Sequence, residues 1–126
     1  MSVKYVVTAK GNPSNPEAPK KFYAQCKSVG EITLKALGKE ISQRSTVNTA
    51  DTLAVLESLT QLMSERLAEG QIVRFGDFGS FQISVSSEGA ETADKFHSGM
   101  ITSKKITFRP GIDLREMLNN LRFERM

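Results

Sequence analysis

The segment from Asn48 to Gly70 constrains this chain more than any other, because it carries more apolar surface than a small domain ordinarily asks of one helix. Leu53, Val55, Leu56, Leu59, Leu62, Met63 and Leu67 recur at helical spacing. Asn48 is a residue that can cap a helix and Gly70 is one that stops it. Asp51, in the first turn, suits the positive end of the helix dipole. The apolar stripe has two flanks: Leu53, Leu56, Met63 and Leu67 on one, Val55, Leu59 and Leu62 on the other. A core-facing helix needs a stripe of roughly 100°, so this width predicts a second buried contact such as a partner subunit. A helix sandwiched inside one domain is the alternative, but the chain offers little other core to supply the second layer.

Composition narrows the field further. At 126 residues, with 39% hydrophobic and 25% charged content, a single domain spanning residues 1–126 is expected. The one cysteine, Cys26, excludes an intrachain disulfide and a cysteine-based zinc site, and a lone thiol fits a reducing, cytoplasmic setting. No run approaches the ~18 apolar residues of a membrane helix, and the start, Met1 to Val7, turns polar too quickly for a secretory signal. The formal net charge is only +3, yet its distribution is uneven. Residues 1–27 hold five Lys against one Glu, residues 31–100 six basic against ten acidic groups, and residues 101–126 six basic against three acidic. Basic ends around an acidic middle suit a polyanion met by one surface; a merely solvated helical face would give a similar count.

Along the chain, Tyr5 and Val7 alternate with Lys4, Val6 and Thr8, and Lys20 to Lys27 reads as a second strand. Between them lies a loop, 11–19, with three of the four prolines, so residues 1–32 are expected to form an antiparallel hairpin. Lys4, Lys20 and Lys21 are either nucleic-acid contacts or guards of an exposed sheet edge. Leu34, Leu37 and Ile41 mark a first helix after Thr33, weakened at Gly38 by ~1 kcal/mol relative to Ala. After the long helix come two short strands within 71–86, a loop over 87–99, and an alternating strand from Met100 to Phe108. Pro110-Gly111 is expected to start a last helix carrying Leu114, Met117, Leu118 and Leu121. The expected class is α+β, since strands and helices do not alternate as a parallel α/β sheet requires.

Catalysis finds no support in these residues. His97 lacks a second His or Cys for a metal site. Asp77-Phe78-Gly79 matches a kinase tripeptide without the rest of a kinase, and Gly76-Asp77-Phe78-Gly79 is neither a dinucleotide fingerprint nor a phosphate loop. Glu88, Glu91 and Asp94 sit in a loop of solvating composition. The chain is therefore read as a non-enzyme with no cofactor, no metal and no small-molecule substrate.

Phe78-Gly79-Ser80-Phe81, a strand–arm–strand excursion, and then Phe108-Arg109-Pro110-Gly111 with a short helix resemble the HU and integration host factor family of bacterial histone-like DNA-binding proteins. Glu40-Ile41-Ser42 and Thr49-Ala50-Asp51 are similar to that family's helix pair, so the resemblance covers residues 33–119, within an HU-like core of 33–121. The hairpin and the tail after Leu121 look like a longer HU-like subfamily. The resemblance implies an intertwined homodimer of the integration-host-factor-like fold. Each chain would add a two-helix base, a three-stranded antiparallel sheet with a β-arm and a short C-terminal helix. It also implies a nucleoid-associated protein that binds double-stranded DNA with little sequence preference. Gly79 and Ser80 would let backbone N–H groups and a hydroxyl approach phosphates, while Arg74, Lys104, Lys105, Arg109 and Arg115 would form a basic saddle.

One stretch departs from the family. Its arms are rich in Arg and Lys and end in a proline that wedges between base pairs. Here Ser86 to Gly99 has no Pro, no Arg, one Lys and three carboxylates. Phe96 would either replace the wedge or fold onto its own strand. Bending weaker than in arm-bearing relatives is the expectation. A structural or scaffolding dimer that kept the fold and lost the DNA is the rival reading.

Overall fold

Alternation at the N-terminus produces strand pairing in the computed structural model, which describes residues 1–126. β1 (Val3–Lys10) and β2 (Lys21–Lys27) pair antiparallel, from Lys4 opposite Lys27 to Lys10 opposite Lys21. The helices that follow are α1 (Leu34–Arg44) and α2 (Thr49–Ala68). Then come β3 (Val73–Arg74), β4 (Gly79–Ser87), β5 (Ile101–Pro110), α3 (Ile112–Asn119) and β6 (Phe123–Arg125). The fold is α+β, with three helices and two three-stranded sheets ordered β2-β1-β6 and β3-β4-β5. The chain divides into two compact units, one of Met1–Thr33 with Met117–Met126 and one of Leu34–Glu116.

In the first unit the C-terminal tail does what its composition did not announce. β6 lies parallel to β1, with Val3 opposite Phe123 and Tyr5 opposite Arg125. The Val3 N–H donates to the Arg122 carbonyl at 2.7 Å and the Met126 N–H to the Tyr5 carbonyl at 3.0 Å. Three residues are too short a run for alternation to be read, so the sheet gains a strand the sequence hides. Glu124 fastens it, accepting from Lys4 Nζ and from Ser2 Oγ. Those two hydrogen bonds, then the Lys4 charge, hold its carboxyl below the usual carboxylate range. The support is therefore present above the ordinary carboxylate pKa and is lost as pH falls through the lowered value. Amide-exchange protection at Val3 and Met126 should fall on acidification, and Glu124→Gln should give the same loss at neutral pH.

In the second unit α2 begins and ends as its residues require. The Asp51 N–H donates to Asn48 Oδ1 at 2.8 Å, and Asn48 Nδ2 returns a bond to the Asp51 carboxylate at 3.1 Å. At the other end the Gly70 N–H reaches the Leu67 carbonyl and the Gln71 N–H the Arg66 carbonyl, a closure that needs the positive φ of Gly70 (84°). Gly38 has a use that propensity alone did not suggest. A Cβ there would lie 2.7 Å from Leu53 Cδ2, so its absence lets α1 approach α2. Ser42 and Thr49 hydroxyls join across the same turn at 2.9 Å.

Pro110 corrects the sequence reading. It ends β5, opposite Gly79, and α3 starts at Ile112 rather than at Pro110-Gly111. β5 is an edge strand, where a residue without an N–H is tolerated. Around it Phe75, Phe78, Phe81 and Phe108 form an aromatic knot, with centroid separations from 4.8 Å (Phe81–Phe108) to 6.1 Å (Phe75–Phe78).

Candidate nucleic-acid interface

The two-residue period of a strand sorts the candidate residues before any question of function arises. Cross-strand register aligns Arg74, Ser80 and Arg109 as one row over β3, β4 and β5. The neighbouring row, Val73, Phe81 and Phe108, points to the opposite, apolar face. Continuing along the polar face, Thr107 lies opposite Gln82 and Lys105 opposite Ser84. A strip of hydroxyl, amide and cationic groups therefore runs from the turn toward the arm.

At its lower end the strip meets a recess of about 220 Å³ lined by Arg74, Gly76, Gly79, Ser80, Arg109, Pro110 and Gly111. The backbone here is dense. Phe75 N–H donates to the Gly79 carbonyl at 2.8 Å, Phe78 N–H to the Phe75 carbonyl at 3.0 Å, and Gly111 N–H to the Phe78 carbonyl at 2.8 Å. Gly76 (φ 53°) supplies the positive φ that starts the turn. Gly79 sits at φ 152°, and a Cβ on it would lie 2.5 Å from the Arg109 carbonyl oxygen and 2.7 Å from the Phe108 ring. A Cβ on Gly111 would run into the Asp77 carbonyl. Three glycines thus let strand, turn and strand end close around a cavity whose only charged lining is two guanidinium groups.

Five of the seven sequence candidates meet at this place. Arg74, Gly79, Ser80 and Arg109 line the recess, and Arg115 Nε donates to the carbonyl of Gly111, another lining residue, at 3.4 Å. Lys105 shares their face farther along β5, whereas Lys104, opposite Val85, falls on the apolar side with Ile106 and Phe108. The family resemblance groups Lys104 with Lys105, but adjacency in a strand is what separates two side chains. Gly76, Pro110 and Gly111, which the sequence did not single out as candidates, also line the recess.

The ion pairs of the chain are Lys4–Glu124, Arg66–Glu69 and Lys95–Glu91, so Arg74, Lys105 and Arg109 face solvent with no carboxylate partner. The arm is different. Its only lysine, Lys95, is bonded to Glu91 at 3.2 Å, leaving Glu88 and Asp94 uncompensated beside two short 3-10 turns, Ala93–Lys95 and Ser98–Met100.

The chain matches the HU-HIG family over residues 1–125, a family described as an HU domain fused to wHTH, Ig, or a Glycine-rich motif. No curated protein matches it in sequence. Among solved structures it is similar to the crystal structure of a bacterial protein from Bacteroides vulgatus ATCC 8482 that carries the provisional description of a DNA-binding protein. The TM-score is 0.66 at 14% identity, over 99% of this chain and 48% of that one. This chain spans about half the length of that protein, and at such identity the likeness concerns the fold.

Proposed function

Because this chain belongs to the HU-HIG family of fused HU domains, we propose that it binds double-stranded DNA through the phosphate backbone, with little sequence preference and without catalysis. The observation that carries this reading is the Arg74–Ser80–Arg109 row, whose unpaired cations flank a glycine-walled recess. Guanidinium forks and a hydroxyl are suited to phosphate oxygens, which fix position without reading sequence. Arg74, Gly79, Ser80, Arg109 and Arg115 form the centre of this contact, with Lys105 extending it. Lys104, on the opposite face of β5, is the outlying member of the proposed set.

The working unit of this proposal is an intertwined homodimer of the integration-host-factor-like fold, built on residues 33–121 with 1–32 as an added hairpin. Its support is the apolar surface that one chain leaves uncovered. Leu67 is the only buried hydrophobic side chain, while Val55, Leu59 and Leu62 are 65%, 37% and 49% exposed. Beside α2 an open cleft of about 450 Å³ is lined by Met63, Leu67, Phe81, Ile83 and Ile106. The accessible surface is 10712 Å². Two separate compact units of these sizes would expose about 8,000 Å² between them. A second copy that fills the cleft and covers the α2 flank accounts for the difference.

Bending of the duplex should be slight, since the arm has no wedge proline and its lysine is neutralised by Glu91. A cytoplasmic, nucleoid-associated protein is the setting this reading implies; no helix of the chain is long and apolar enough to cross a membrane.

A titration of duplex affinity against salt is the test. Each neutralised phosphate contributes about 0.9 to the log–log slope, so Arg74→Gln/Arg109→Gln should flatten the slope by about 1.8 for each engaged chain, equally on unrelated sequences. A slope of zero for the unaltered chain rejects the proposal. The acidic arm favours one second reading, a dimeric scaffold without DNA. A dimer on size exclusion that shifts no duplex even at low salt would establish that reading instead.

A further inference from the structure

The N-terminal hairpin has two chemically different faces. Register and alternation place Val3, Tyr5, Val7, Ala9, Phe22, Ala24 and Cys26 on one, and Lys4, Thr8, Lys10, Lys21, Gln25 and Lys27, with Val6 and Tyr23 among them, on the other. The second face holds its lysines in facing pairs, Lys10 opposite Lys21 and Lys4 opposite Lys27. Like charges directly opposite each other destabilise a strand pair. Protection of the free β2 edge would explain lysine on that strand, but it does not call for lysines that face one another.

Only one of the four is neutralised inside the protein. Lys4 pairs with Glu124, while Lys10, Lys21 and Lys27 enter no ion pair. The Lys10 ammonium lies 5.9 Å from the Tyr23 ring centroid, a contact that keeps the charge on this face without cancelling it. Beside this pair the loop after β1 is closed by Asn12, whose Oδ1 accepts from the Ser14 N–H at 2.9 Å and whose carbonyl accepts from the Asn15 N–H at 3.1 Å. A recess of about 300 Å³ remains there, lined by Lys10, Asn12, Lys21 and Tyr23 among others, and it has room for a phosphate group.

We propose that this lysine face of the β1–β2 hairpin is a second contact for the duplex backbone, separate from the arginine row; the inference rests on reading the partner as DNA. Lys21 and Lys27 stand six residues apart on β2, a span of about 20 Å at the strand rise. A small anion would meet one end alone. Duplex DNA, with a charge about every 1.7 Å of axis, meets both. Gln25, exposed between the two ends, adds a neutral donor of the kind that phosphate oxygens accept from.

The experiment compares the full chain with Lys10→Gln/Lys21→Gln/Lys27→Gln and with Arg74→Gln/Arg109→Gln, on one duplex over 50–200 mM salt. Losing three phosphate contacts removes about 2.7 from the slope, so the fall in affinity across that range should shrink by about 40-fold for each engaged chain. Far-UV circular dichroism establishes that the variants fold. Acetylation of the unaltered protein gives a readout free of substitution: duplex should protect Lys10, Lys21 and Lys27. An unchanged slope in the lysine variant, with the arginine variant flattened, overturns the hairpin contact and leaves DNA binding standing. A salt-independent unaltered chain overturns both. Loss of polyglutamate binding in the lysine variant, with duplex binding intact, overturns the proposal in favour of an acidic protein partner.

Discussion

Leu59→Glu should convert a dimer into a monomer that no longer unfolds cooperatively. Leu59 lies on the uncovered flank of α2 with Val55 and Leu62, and Ala54 and Ser58 beside them form a shallow apolar groove. In the proposed dimer this flank is buried, and an uncompensated buried charge costs about 3–5 kcal/mol. Two copies of the substitution meet in one dimer, so association should weaken by more than about ten-thousand-fold. Sedimentation equilibrium would show the mass falling by half, and the thermal transition should broaden as the protomers lose their shared core. Leu59→Met keeps volume and polarity and should cost under about 1.5 kcal/mol. A chain that sediments as a monomer and still unfolds in one sharp transition would remove the dimer, and with it the explanation of the exposed flank.

Gly79→Ala is the second large effect. The position is buried, its φ of 152° lies where side chains are rarely found, and the added carbon would meet the Arg109 carbonyl and the Phe108 ring. Backbone strain of about 1–3 kcal/mol and overpacking of similar size combine to about 2–6 kcal/mol. With urea m-values of about 1–3 kcal/mol/M, the midpoint should move down by about 1 M or more at fixed protein concentration. Gly11→Ala is the control, because nothing lies within 4 Å of its added carbon; it should stay within about 0.5 kcal/mol. Equal midpoints for the two variants would mean that the turn relaxes freely, which a close-packed wall of the recess should not do.

Much of this architecture was legible in residue order because it rests on local periodicity. The hairpin, α2 with its Asn48 cap and Gly70 stop, and the strand–arm–strand unit each follow from spacing of two or 3.6 and from the residues that punctuate it. The division of the α2 stripe also held in detail. The Leu53, Leu56, Met63 and Leu67 flank turns inward, and Val55, Leu59 and Leu62 remain outside. Part of the candidate site was legible through the family resemblance, since Phe78-Gly79-Ser80-Phe81 and Phe108-Arg109-Pro110-Gly111 are contiguous runs, and the fold joins their ends.

What sequence alone determined, then, was the set of elements, the amphipathic faces and the uneven placement of charge. Tertiary structure decided which side chains share a face and which backbone segments touch. It put Lys105 with Arg74 and Arg109 but Lys104 with Phe108, made Gly38 the place where two helices approach, kept Pro110 in a strand, and turned a three-residue tail into β6. Each depends on a partner distant along the chain, and periodicity within one segment carries no information about the segment that will lie across from it.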